Sequence, residues 1–61
     1  MKYYLVYLYA GTVVAIDTFE DEFSMVLTYT EQIGSLFNAR GGFRERRGGI
    51  IYNEVQKHTE S

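Results

Sequence analysis

Four arginines and four glycines fall within thirteen residues, Phe37 to Gly49 (FNARGGFRERRGG). Guanidinium forks and the exposed N–H groups of a glycine-rich connection suit phosphate or carboxylate. The same residues also have ordinary work available. Arg40 complements a helix C-terminus, Arg44 and Arg46 share the exposed face of a short strand, and the glycine pairs supply turns. Arg-Gly-Gly steps occur in RNA-binding segments, but as long repeats in basic chains, whereas this chain has a net charge of −2. Arg40, Arg44, Arg46 and Arg47 are therefore expected first as a solvated bend. A contact for a protein partner comes next, since arginine is a frequent hot-spot residue, and a nucleic acid or phosphorylated ligand comes third.

The acids cluster separately, at Asp17, Glu20, Asp21 and Glu22. Carboxylates that open a helix cap its free N–H groups and complement its dipole, and that is the role expected here. Catalysis finds little to work with. There is no cysteine and one histidine, which excludes disulfides, thiolate zinc sites and a histidine-rich metal cage. No nucleophile elbow, phosphate-binding loop or zinc-protease helix motif is present. His58 lies in a segment expected to fray. No enzymatic activity, cofactor or metal is expected.

The elements that must position these residues follow from periodicity. KYYLVYLYAGTVVAIDT predicts a hairpin of two β-rich arms broken at Ala10-Gly11, where glycine supplies the positive φ of a tight loop. Its first arm has two apolar faces, Tyr4/Val6/Leu8 and Tyr3/Leu5/Tyr7/Tyr9, as in a strand covered on both sides. Thr18 is expected as the N-cap of a helix ending near Asn38 to Arg40, with Gly41 as its C-terminal cap. Phe19, Phe23, Val26, Thr30, Ile33 and Phe37 form one helical stripe, expected to face the sheet. Strands are expected near Phe43 to Arg46 and Ile50 to Val55, with a turn at Gly48-Gly49 between them. The architecture is thus α+β, ββαββ or ββαβ: one small antiparallel sheet with one amphipathic helix across it. Residues 1–56 form a single domain and residues 57–61 a frayed tail.

A chain of 61 residues buries only about 60% of the surface its unfolded form exposes. Lacking disulfides and metals, small domains of this kind find stability in oligomers. The helix, moreover, has an apolar arc wider than one sheet requires. Met25, Tyr29 and Leu36 lie to one side of the Phe23/Val26/Ile33 stripe, and the hairpin adds Tyr3, Tyr7 and Tyr9. These six are expected to form a self-association or partner interface, because large apolar patches mark contact sites and tyrosine and methionine are enriched in interface cores.

The apolar run from Tyr3 to Ile16 is too short to span a bilayer. Its tyrosines and Gly11 also argue against a signal peptide. The expectation is a cytoplasmic, homodimeric interaction protein with no membrane association. It would act as an inhibitor or adaptor of the type phages and mobile elements encode, blocking a larger host protein, one of defence or nucleic-acid processing included.

Overall fold

The computed structural model describes residues 1–61. Strands β1 (Lys2–Tyr9) and β2 (Thr12–Phe19) precede helix α1 (Glu22–Phe37), and β3 (Arg44–Arg46), β4 (Ile50–Tyr52) and β5 (Glu54–Glu60) follow it. The sheet order is β2-β1-β5, antiparallel throughout, with β3 and β4 forming a separate two-stranded ribbon. The fold is α+β as expected, one helix packed on small antiparallel sheets.

The hairpin turns where glycine placed it. Tyr9 pairs with Thr12, leaving Ala10 (φ 52°) and Gly11 (φ 82°) as a two-residue loop with both central residues left-handed, the twist that suits flanking strands. A register shift between Tyr7 and Leu8 bulges β2. The loop is braced from below: the Ala10 amide donates to Asn53 Oδ1 at 3.3 Å. The Asn53 amide donates in turn to the Leu8 carbonyl at 2.8 Å.

Two boundaries differ from the sequence reading. Thr18 and Phe19 end β2, where they pair with Tyr4 and Tyr3, so the helix cap moves to Asp21. Its Oδ2 accepts from the Ser24 amide and its Oδ1 from the Ser24 hydroxyl, each at 2.9 Å. At the other end Asn38, not Gly41, closes the helix, its side-chain amide donating to the Gly34 carbonyl at 2.9 Å. Gly41 belongs instead to the turn Arg40–Gly42. The turn Arg47–Gly49 repeats that conformation, each Arg-Gly-Gly placing its glycines at φ near +80° (83° and 78°, then 81° and 78°).

The segment expected to fray is the third strand of the sheet. Residues 54–60 pair along β1 from Leu8↔Glu54 to Lys2↔Glu60. Its alternation is polar because the backbone ladder with β1, rather than side-chain burial, is what fixes it. Only Val55 of this strand is buried. Asn53 separates β4 from β5, so the expected strand at 50–55 divides in two.

The core is small. Leu5, Tyr7, Met25, Tyr52 and Val55 form it, with Tyr3, Val14, Ala15, Phe19, Tyr29 and Leu36 packed around them. Tyr7 and Tyr52 meet edge to face at 5.0 Å, and the Tyr52 hydroxyl donates to Gln32 of the helix. Only seven of 61 residues are buried, so much of the apolar surface must lie outside.

Candidate interaction surface

The helix is turned opposite to expectation. Met25 is 3% exposed and in the core, with Tyr29 and Leu36 packed against it, while the stripe expected to face the sheet faces solvent, except for Phe19, which ends β2 and packs against the core. Phe23 is 75% exposed and Phe37 88%, and Val26, Leu27 and Ile33 are exposed as well. At about 100° per residue, Met25, Leu36, Gln32 and Tyr29 cluster on the inward side. Phe23, Val26, Leu27, Thr30, Ile33, Gly34 and Phe37 form a continuous band on the outward side. Thr30 lies at its centre. The Thr30 hydroxyl donates to the Val26 carbonyl at 2.9 Å, which satisfies its polar group within the helix. A side chain built at Gly34 would meet nothing within 4 Å.

The expected interface residues thus divide. Tyr7 and Met25 are core residues, Tyr3, Tyr29 and Leu36 are half-buried against the core, and only Tyr9 is exposed. Even Tyr9 has a neighbour, the Phe43 ring at 6.3 Å edge to face. Tyr29 carries the Lys57 ammonium 4.6 Å from its ring centroid. The surplus of apolar surface is real, but it is carried by Phe23, Val26, Leu27, Ile33 and Phe37. Their mutual periodicity was visible in the sequence; their direction was not.

A second apolar area lies on the sheet face away from the helix. Alternation and register place Tyr4, Val6 and Leu8 there, with Ile16 and Val13 beside them on β2, although Val6 and Leu8 are themselves buried. Ile16 and Val13 are both more than half exposed. Toward β5 this face turns polar, with Glu54, Gln56 and His58 opposite Leu8, Val6 and Tyr4. His58 is held rather than loose. Its ring stacks on Tyr4 at 5.2 Å and 9°, and Nε2 lies 3.2 Å from Gln56 Oε1.

The arginines also divide. Arg46 Nη2 donates to Asp17 Oδ1 at 2.9 Å, the chain's one ion pair, and its guanidinium carbon stands 4.4 Å over the Tyr7 ring. Arg46 therefore fastens β3 to β2 and roofs a core tyrosine. Burial holds the Tyr7 hydroxyl above the usual tyrosine value, and the neighbouring Asp17 carboxylate adds to that. Burial likewise raises Tyr52, with Arg44 and Arg46 opposing it. Arg40, Arg44 and Arg47 remain exposed. A recess of about 500 Å³ beside the ion pair is lined by Ile16, Asp17, Thr18, Phe19, Thr28, Arg46 and Arg47. Arg47 is the only arginine there without a carboxylate partner. No three His, Cys, Asp or Glu side chains group as metal ligands, and no helix is long and apolar enough to cross a membrane.

Comparison of the chain with protein-family models, with curated proteins and with solved structures finds no match.

Proposed function

We propose that this chain is a non-enzymatic interaction protein that self-associates and blocks a larger protein by occupying part of its surface, as an inhibitor or adaptor does. The observation that carries this reading is the outward band of α1. A surface helix of a self-sufficient domain turns its apolar stripe inward and its polar face out. Here two phenylalanines stand in water at the two ends of the helix, with aliphatic side chains between them. Contiguous apolar surface of that kind marks a contact site.

The phosphate-binding alternative draws on fewer groups than the sequence offered. Arg46 is committed to Asp17, which leaves three exposed guanidinium groups on a chain of net charge −2. Salt separates the two readings, since phosphate binding weakens steeply as salt rises and an apolar interface does not.

The test is capture from a cell lysate by the wild-type chain and by variants carrying Asp at Phe23 and Phe37, or at Val13 and Ile16. The captured protein's own activity is then titrated with the chain. Retention lost in one variant, with activity falling in proportion to occupancy, supports the reading. Retention that leaves the partner's activity untouched rejects blockade, and binding only to nucleic acid at low salt favours the alternative.

A further inference from the structure

The outward band of α1 is symmetric about its own centre. Thr30 lies midway along the helix and midway across the band. Phe23 and Phe37 are equidistant from it along the chain, as are Val26 and Gly34, Leu27 and Ile33, and, just beyond the helix ends, Glu20 and Arg40. Resting on the reading of the chain as an interaction protein, we propose that the occupant of this band is a second copy of the chain, its helix antiparallel to the first across a two-fold axis beside Thr30.

That axis sets Phe23 against the partner's Phe37 and, on one flank of the seam, Val26 against the partner's Ile33, an apolar pair on either side of the centre. On the other flank Leu27 meets the partner's Gly34, where the absence of a side chain lets two helix axes approach within roughly 8–10 Å. Within one chain this glycine has no evident task. It sits inside a helix at a cost of about 1 kcal/mol relative to alanine, with no left-handed φ and nothing near it. The charges agree with the same arrangement. Glu20 and Glu22 form no ion pair within the chain and neither does Arg40. The antiparallel register brings the acidic entrance of each helix to Arg40 at the other's exit, twice by symmetry. A parallel arrangement would set acid against acid.

The area also suffices. A specific interface needs roughly 500 Å² per copy at its lower bound, a small part of the 4445 Å² this chain exposes. Phe23 and Phe37 alone supply on the order of 300 Å² of that, and Val26, Leu27, Ile33 and the methyl of Thr30 lie between them. The sheet face competes less well, because Glu54, Gln56 and His58 occupy one side of it.

The chain contains no cysteine, so single cysteines report the geometry directly. Thr30→Cys is expected to yield a disulfide-linked dimer under mild oxidation, whereas Glu31→Cys, on the polar side of the helix, is not. A mixture of Phe23→Cys and Phe37→Cys chains should cross-link to each other, and neither alone. Unmodified chain should sediment at twice its 7.1 kDa, and Phe23→Asp should weaken association at least tenfold because each substitution disrupts two contacts. Glu20→Lys should weaken it, with Arg40→Glu added in the same chain restoring it. A monomer at high micromolar concentration overturns the proposal, as does a dimer indifferent to Phe23→Asp and unlinked through position 30. Loss of a captured target in Phe23→Asp without any change in oligomeric state overturns it too, and leaves the interaction reading standing. A dimer linked through position 30 that captures no target does the reverse.

Discussion

Arg46 and Asp17, 29 residues apart, meet at 2.9 Å and make one arginine of the Arg-Gly-Gly region a structural tie rather than a ligand group. The pair joins the β3-β4 ribbon to the main sheet, and the guanidinium covers Tyr7 from outside.

Arg46→Ala should therefore lower stability by about 1–2 kcal/mol, combining a half-exposed ion pair with a cation–π contact. Arg44→Ala and Arg47→Ala should each stay within about 0.5 kcal/mol of wild type. Urea titration of the three variants decides this, and equal effects would place Arg46 among the free surface charges.

The orientation of the helix is checked by truncating its two sides. At concentrations too low for self-association, Met25→Ala should cost about 2–5 kcal/mol. Phe37→Ala should cost less than about 0.5 kcal/mol there. A reversed order in chemical denaturation would mean that Phe37, and not Met25, faces the sheet.

Much of this fold was legible in residue order. Ala10-Gly11 located the hairpin, since few sequences offer left-handed backbone between two β-rich arms, and the helical period of residues 22–37 was plain. What periodicity reports, however, is which side chains share a face. It does not say which face turns inward when the apolar arc is as wide as this one, and so Phe23 and Phe37 exchanged places with Met25 and Leu36. The last strand was hidden for a different reason. Gln56, Lys57, His58 and Thr59 carry no apolar signal, and only the open backbone edge of β1 recruits them. Thr18 has the side chain of a cap, yet pairing of Phe19 with Tyr3 draws it into β2 and hands the cap to Asp21. Arg46 gave no sign of its ion pair, because Asp17 is remote in sequence.

The Ala10 conformation offers a gain. A non-glycine residue at φ 52° is strained by about 1–2 kcal/mol, which glycine avoids and asparagine tolerates. Ala10→Gly and Ala10→Asn should both raise the thermal midpoint, by up to about 1 kcal/mol in stability. A lower midpoint in both would show that the loop is not left-handed at this position.

Alkaline pH acts through the buried hydroxyls. Tyr7 and Tyr52 both have their pKa raised in the folded chain, chiefly by burial, so the folded state holds those protons more tightly than the unfolded one. The stability they contribute is complete below the unfolded tyrosine value near 10 and falls as pH rises past it. Tyrosinate absorbance should show these two hydroxyls ionising together with unfolding, and Tyr7→Phe should flatten the alkaline decline. An unchanged decline would assign it elsewhere.

Acid acts on the helix cap in the opposite sense. Hydrogen bonds from the Ser24 amide and hydroxyl lower the pKa of Asp21, so its contribution is present above the ordinary aspartate range and fades as pH falls through the folded value. Asp21→Ala should melt below wild type at neutral pH, and the gap should narrow under acid. A gap independent of pH would exclude the carboxylate as the cap.

The pairing of β1 with β5 has a consequence for how the molecule is made. Leu5 and Tyr7 are synthesised before Tyr52 and Val55, and a hairpin with β2 can shelter them on one flank within microseconds. Their other flank waits for Tyr52 and Val55, nearly fifty positions later, and contacts so distant in sequence close slowly. Until β5 is made the nascent hairpin therefore presents a bare, tyrosine-rich edge, the stage at which these strands are most exposed to misassociation.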